Sequence, residues 1–247
     1  MFAVCGWSVV LLLLWYCGVT PGLQPSVRLI QSPSGNIFMM ENTTFLPANA
    51  FLVLPSTSFC MCKNQCMVTG NCSAWSLVQN VGGGSECRLA RGGPTNYPTI
   101  NATNATYFYR QDSVPGTYSW EKDGLLYLNT TMLRKYADAK TYCASIPGHR
   151  LGIFKTIQQK DILLALPVLS SGKWALDLVN SSAGPVWGDG TMYYNTELGQ
   201  NFSIVEAPNT VGIPMDIYIY INGSITRGYN VYNRNFQCQV NPGGVDW

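Results

Sequence analysis

Cysteine is the residue type in this chain of 247 residues whose spacing most suggests chemistry. Cys60, Cys62, Cys66 and Cys72 fall within the short segment FCMCKNQCMVTGNC. Such a cluster could bind a metal, carry redox chemistry or form disulfides. A structural zinc site needs four thiolate or imidazole ligands, often arranged as Cys-x-x-Cys pairs. The segment has no such pair, so the spacing disfavours both a zinc site and a thiol oxidoreductase site.

The same spacing favours disulfides. Cys62 and Cys66 lie on one face of a predicted helix, so each can reach a different neighbouring strand or loop. Cys87 follows the flexible segment GGGSE and opens a short predicted strand. The simplest arrangement pairs Cys62 with Cys87 and Cys66 with Cys72. Cys60 is then left over, either as a buried or capped thiol or as half of an intermolecular disulfide that links a homodimer.

Recognisable catalytic motifs are missing from the sequence. The single histidine, His149, lies in the segment PGHR, which predicts a turn at a helix end and a surface or capping role. The sequence has no nucleophile elbow, no phosphate-binding loop and no His-Glu-x-x-His motif. Carboxylates are sparse, and no pair stands out for glycoside hydrolysis. We therefore predict that the protein is not an enzyme.

Composition and the first residues indicate an exported protein. Charged residues make up 11% of the chain and the net charge is +2, which is unlike the dense basic face of nucleic-acid-binding proteins. The apolar run VVLLLLWYC, ended by GVTPGLQP, predicts a signal peptide over residues 1–22, with cleavage between Gly18 and Gln24. A retained signal anchor is the alternative. After signal removal we predict no membrane span and an extracellular location.

Glycosylation motifs support export. The Asn-x-Ser/Thr acceptor sequence recurs along the whole mature chain, at Asn42, Asn71, Asn101, Asn104, Asn129, Asn180, Asn201 and Asn222. Asparagines that carry a glycan must lie on exposed segments, because a glycan cannot be buried.

The elements that position these residues divide into two groups. Residues 26–45 predict edge strands, SAWSLV and CRLA predict two further strands, and Tyr107–Arg110 predicts a closing strand. The segment DSVPG, with Pro115 and Gly116, predicts a linker. A boundary near residues 112–118 follows, with one domain on each side.

The second half alternates strands and helices before a final run of strands. Met132, Tyr136, Ala139 and Cys143 fall on one face of a predicted helix. The capping-box spacing of Thr156 opens a second helix. The segments KWALDLV, VWGDGTMYY, DIYIYI and FQCQV predict strands. Cys143 can reach Cys238 on the last strand and close most of this domain into one loop.

The first half resembles a PAN/apple domain. The resemblance is carried by Cys62, Cys66, Cys72, Trp75, Cys87 and Leu89. It implies a helix lying across a sheet over residues 25–112.

The second half resembles a C-type lectin-like domain over residues 119–240. The resemblance is carried by Tyr127, Ala137, Cys143, Leu151, Trp174, Leu178, Trp187, Asp189, Gly190, Phe236 and Cys238. WALDL, WGDGT and NFQC resemble motifs of this family in their usual order. Together the two resemblances predict an α+β protein of two small, disulfide-stapled domains.

The lectin-like resemblance also implies a calcium-dependent sugar site. Glu206, Asn209, Tyr229 and Asn230 fall where that family binds its ligand, and Glu206, Asn209 and Asn230 would be the metal ligands. Calcium prefers six to eight oxygen ligands. Here EAPN carries an extra alanine, and Val231 replaces an expected carboxylate, which predicts a degenerate site.

The resemblances lead to two functional hypotheses. The first is a secreted, non-catalytic recognition protein that binds glycans or glycosylated surfaces, with innate immunity as its expected setting. Its contact surface would include the aromatic side chains Tyr193, Tyr194 and Tyr229. The alternative is a calcium-independent extracellular protein–protein interaction or structural module that binds no sugar.

Overall fold

The computed structural model describes residues 27–56, 58–166, 172–206, 215–245 and 247. The predicted signal peptide and Asn209 lie outside the described residues. Within those ranges the chain is a mixed α+β protein with three disulfides. No helix in these ranges combines the length and the apolar character needed to cross a bilayer.

The first half forms one six-stranded antiparallel sheet. Its strands are β1 (Arg28–Ile30), β2 (Ile37–Phe45), β3 (Leu52–Ser56), β4 (Ala74–Gln79), β5 (Ser85–Ala90) and β6 (Thr99–Arg110). Their order in the sheet is β1-β2-β6-β4-β5-β3. The predicted closing strand at Tyr107–Arg110 is the end of β6, which extends back to Thr99.

The helix α1 (Phe59–Val68) packs against this sheet. The Ser58 hydroxyl begins the helix by accepting a hydrogen bond from the backbone of Met61. An aromatic stack lies beneath it, since the Phe59 ring is 4.7 Å from Phe108 and the Phe108 ring is 5.4 Å from Trp75. The helix lies on the sheet, as expected, whereas membership of the PAN/apple family stays a prediction.

Two disulfides fasten α1. Cys62 is bonded to Cys87 on β5, and Cys66 is bonded to Cys72 just beyond the helix. These are the pairs that the spacing favoured. Cys60 is half-buried on α1 and belongs to none of the three disulfides, so its predicted role in a homodimer stays a prediction.

The second half contains two four-stranded sheets and a hairpin. The first sheet has the order β7-β8-β16-β9, from β7 (Thr117–Trp120), β8 (Leu126–Asn129), β9 (His149–Leu151) and β16 (Gln237–Val240). The second has the order β10-β14-β15-β13, from β10 (Lys173–Ala175), β13 (Ile204–Glu206), β14 (Met215–Tyr220) and β15 (Ile225–Tyr229). The hairpin joins β11 (Leu178–Ser181) to β12 (Gly184–Trp187).

Helices α2 (Tyr136–Ser145), α3 (Ile157–Leu164) and α4 (Glu197–Asn201) complete the second half. The predicted capping box is present, because Thr156 and Gln159 bond each other's backbone at the start of α3. A third disulfide joins Cys143 on α2 to Cys238 on β16, as the order of elements suggested. This bond fixes α2 against the sheet that contains β16.

The two halves share one hydrophobic core. Phe38 on β2 lies with its ring 5.2 Å from Tyr118 and 5.7 Å from His149, both in the second half. Val114, within the segment predicted as a linker, is 2% exposed and belongs to the same core. The chain between the halves is therefore packed between them, and the domain limits of 25–112 and 119–240 stay predictions.

His149 corrects a prediction. The sequence placed it in a surface or capping turn, but it is buried at the start of β9 in the shared core. Its Nδ1 lies 3.0 Å from the carbonyl oxygen of Pro147, and its Nε2 lies 2.9 Å from the Tyr118 hydroxyl. A carbonyl can only accept, so Nδ1 donates and Nε2 accepts from Tyr118. Burial lowers the pKa of His149 to about 4.

Candidate functional site

The strand β14 separates core from surface through its alternating side chains. Ile217 and Ile219 point into the second-half core, where Ile219 lies opposite Trp174 on β10. Side chains alternate in a strand, so Tyr218 and Tyr220 point away from that core. We call the surface formed by Lys173, Asp216, Tyr218, Tyr220, Thr226 and Gly228 the outer face.

A lysine and two tyrosines form a polar aromatic cluster on the outer face. The Lys173 ammonium lies 4.9 Å from the Tyr220 ring centroid and 5.2 Å from that of Tyr218, within cation–π range. The two tyrosine rings meet edge to face at 5.4 Å. Hydrogen bonding with Tyr218 and with Lys173 lowers the pKa of Tyr220. Burial raises the pKa of Tyr218 to about 12.

Exposure differs across this cluster in a way that suits ligand contact. Tyr218 is buried at its base, while Tyr220 and Lys173 are half-buried above it. Tyr232 lies close enough to Tyr218 to interact electrostatically and is 59% exposed. The cluster therefore presents aromatic edges and hydrogen-bond donors to solvent on a buried base.

Gly228 lets Tyr218 lie across the backbone of β15. A Cβ at this position would be 2.6 Å from the Tyr218 hydroxyl oxygen and 2.9 Å from its ring. Real Cβ contacts are not that short, so any larger residue would push the tyrosine off the sheet. The glycine thus fixes the orientation of the ring that supports the cluster.

Arg234 covers the other end of the cluster. It is 1% exposed, and its guanidinium carbon lies 4.2 Å from the Tyr218 ring centroid. Its Nη1 donates to Asp216 at 3.2 Å, and its Nη2 donates to the carbonyl oxygen of Tyr229. Burial raises the pKa of Asp216, and the neighbouring guanidinium partly offsets that effect. The guanidinium of Arg234 holds Tyr218 in place and neutralises Asp216, the one carboxylate of the outer face.

Part of the predicted sugar site lies at the end of the second sheet where β13 and β15 finish. Glu206 ends β13, which runs parallel to β15, so Glu206 and Tyr229 lie at matching strand ends. Asn230 follows directly and is half-buried. Both oxygens of Glu206 accept from Nη1 of Arg227 at 3.1 Å. Asn209 lies outside the described residues.

The described side chains of the predicted calcium site carry no excess negative charge. Each carboxylate at this end is already bound to a guanidinium group, Glu206 to Arg227 and Asp216 to Arg234. Across the described ranges, no group of three or more His, Cys, Asp or Glu side chains could hold a metal ion. Calcium needs several oxygen ligands with excess negative charge, and here the charges cancel. The full ligand set stays a prediction because it includes Asn209.

The predicted aromatic contacts are only partly on the surface. Tyr193 was expected to stack on sugar, which is wrong, because it is fully buried against Trp187 and donates to the carbonyl oxygen of Phe202 at 2.7 Å. Tyr194 is 52% exposed and Tyr229 is half-buried. Tyr218 and Tyr220 were not among the predicted contacts, although the alternation in DIYIYI places both on one face of a strand.

The predicted glycosylation sites differ in accessibility. Most of their asparagines are exposed, namely Asn42, Asn71, Asn101, Asn104, Asn180, Asn201 and Asn222. Asn129 is half-buried in β8, and its side-chain oxygen accepts a hydrogen bond from Gln237. Attachment of glycans at any of these positions stays a prediction.

The chain has solved structural neighbours among the C-type lectins. CEL-I, a C-type lectin from Cucumaria echinata, has a TM-score of 0.39 and 12% identity, covering 51% of this chain and 96% of its own. The EPNH mutant of CEL-I has a TM-score of 0.39 and 14% identity, covering 51% and 95%. CEL-IV has a TM-score of 0.38 and 16% identity, covering 51% and 92%. No protein-family model and no curated protein sequence matches the chain.

Proposed function

We propose that this protein is a secreted, non-catalytic recognition protein that binds carbohydrate on the outer face. The observation that carries the proposal is the cluster of Lys173, Tyr218 and Tyr220. A sugar ring has an apolar C–H surface edged by hydroxyl groups, and it needs an aromatic surface beside hydrogen-bond donors and acceptors. The cluster supplies both, since tyrosine combines a large apolar ring with a polar tip.

Rigidity of the cluster supports the same proposal. Tyr218 is fixed from below by the backbone at Gly228 and from the side by Arg234. A site whose side chains are already ordered loses less conformational entropy when a ligand binds.

We further propose that binding needs no calcium. Arg227 neutralises Glu206, the one carboxylate among the predicted metal ligands, and Arg234 neutralises Asp216 on the outer face. Secretion is supported by the three disulfides, because such bonds persist in oxidising compartments. Exposed acceptor asparagines suit a protein that is itself glycosylated. Its proposed partners are glycans or extracellular glycoproteins.

A glycan array probed with calcium and again with a chelator tests this proposal. We expect binding that is unchanged by chelation and that Tyr220→Ala abolishes. Tyr194→Ala is the matched control, because it removes an exposed tyrosine that lies off the outer face. Binding that disappears on chelation, or that survives Tyr220→Ala, would contradict the proposal.

Protein recognition is a second candidate function. Exposed apolar side chains lie near the same end of the sheet, with Val205 at 55% and Val231 at 50%. Such side chains suit a protein partner better than a sugar. An array of extracellular glycoproteins, probed before and after enzymatic removal of their glycans, separates the two functions. Binding that survives deglycosylation favours this second candidate.

A further inference from the structure

We propose that the outer face selects saccharides that carry carboxylate or sulfate groups. This inference rests on the proposed sugar-binding function and adds the chemical class of the ligand. It depends on where the charges of the outer face lie relative to its aromatic rings.

The charges at the cluster have a positive sum. Lys173 and Arg234 each carry one positive charge, and Asp216 carries the one negative charge among the outer-face residues. Arg234 is 1% exposed and is bound to Asp216, so these two cancel inside the protein. The charge presented at the surface is therefore that of the Lys173 ammonium, which is half-buried beside Tyr220.

The geometry places that ammonium where an acidic sugar would need it. An ammonium has three N–H donors, so Lys173 can bond the Tyr220 oxygen and an anionic ligand group together. A sugar stacked against Tyr220 would bring a ring substituent towards Lys173, whose ammonium lies 4.9 Å from the centroid of that ring. Hydrogen bonds between an ammonium and a carboxylate or sulfate are about twice as strong as neutral ones. A neutral sugar would use the rings but not the charge.

Arg234 removes an obstacle to anion binding. An uncompensated carboxylate at Asp216 would repel an acidic ligand across the same face. Because the guanidinium of Arg234 lies 3.2 Å from that carboxylate, the repulsion is cancelled without placing a second cation at the surface. One buried ion pair and one surface ammonium thus give a face that favours anions.

Binding of dextran sulfate, compared with unsulfated dextran of the same length, tests the inference with one sugar backbone. Hyaluronan provides a carboxylate in place of sulfate, and neutral oligosaccharides on an array provide an independent check of sugar binding. The test variant is Lys173→Gln, which removes the charge and keeps a hydrogen-bond donor. The matched control is Lys122→Gln, at an exposed lysine in the turn before β8.

We expect dextran sulfate, hyaluronan or both to bind, and dextran not to bind. Lys173→Gln should weaken the affinity for the anionic probe about tenfold, the effect of one charge-assisted hydrogen bond. Lys122→Gln should leave that affinity unchanged. Equal losses in both variants would show a general charge effect and overturn the inference. Tyr220-dependent binding of neutral sugars that Lys173→Gln leaves unchanged would overturn it while the proposed function stands. Binding to no saccharide would overturn both.

Discussion

At the residue scale, Arg234 and Arg227 both pair with a carboxylate, yet their surroundings differ. The Arg234 and Asp216 side chains are 2% and 11% exposed, whereas Arg227 and Glu206 are 21% and 60% exposed. Breaking a buried ion pair leaves an uncompensated charge in a low-dielectric site, while a surface pair is screened by water. The two pairs should therefore differ in how much they contribute to stability.

Removal of the buried guanidinium gives the first prediction. Arg234→Gln should lower the free energy of unfolding by about 3–5 kcal/mol, because it leaves Asp216 buried without its partner. Arg227→Gln, the matched control, should change it by less than about 1 kcal/mol. Urea denaturation measures both values. Equal effects would show that Arg234 is not the more important of the two.

The pH dependence of stability gives the second prediction. The pKa of His149 is about 4 in the folded protein, against 6.5 for an unperturbed histidine. Below pH 6.5 the unfolded chain therefore binds a proton at His149 that the folded chain does not bind. Stability falls for this reason as the pH drops towards 4. This difference in the pKa of His149 should lower the free energy of unfolding by about 3 kcal/mol over that pH range.

His149→Gln isolates that contribution, because other titrating groups act in both proteins. The wild type should lose more stability between pH 7 and pH 4.5 than the variant does, as measured by urea denaturation at each pH. Parallel losses in the two proteins would contradict the burial of a neutral imidazole between Phe38 and Tyr118.

At the element scale, local sequence patterns predicted the helices and strands. Contacts between residues distant in sequence decided which side chains are buried and which strands pair. The helical spacing of Cys62 and Cys66, and the capping box at Thr156, depend on near neighbours along the chain and were confirmed. The burial of Tyr193 depends on Trp187 and Phe202, which no local period reveals. The parallel pairing of β13 with β15, which brings Glu206 beside Arg227, is likewise a tertiary contact.

The disulfides give the third prediction, since they link elements over very different spans. Cys143–Cys238 has a sequence separation of 95, and Cys66–Cys72 has one of 6. In the chain-entropy model the long loop contributes about 4–5 kcal/mol and the short one about 2 kcal/mol. Paired Cys→Ala variants should differ accordingly in their free energy of unfolding. A larger loss from the short loop would contradict this account.

At the scale of the whole molecule, the shared core joins the predicted domains. Phe38 is fully buried and stacks on Tyr109 at 5.0 Å within its own half. Its other ring contacts, Tyr118 and His149, belong to the second half. The segment DSVPG predicted a linker because Pro and Gly break regular structure, but the same segment holds the apolar Val114, which the core absorbs. The Pro and Gly residues marked the junction between the halves but gave no information on how that junction packs.

Loss of that packing gives the fourth prediction. Phe38→Ala should lower the free energy of unfolding by about 3–5 kcal/mol, because it leaves a cavity in the core. It should also raise amide hydrogen exchange in β7 and β9, although both strands lie in the other half. Faster exchange confined to the first half would show that the two halves are independent.

The proposed function requires that the outer face bind saccharide without calcium. Titration calorimetry with the strongest saccharide from the array tests it most directly, on protein dialysed first against calcium and then against chelator. We predict the same affinity in both buffers and no detectable heat with Tyr220→Ala. An affinity that falls at least tenfold in chelator, or that is unchanged by Tyr220→Ala, would contradict the claim.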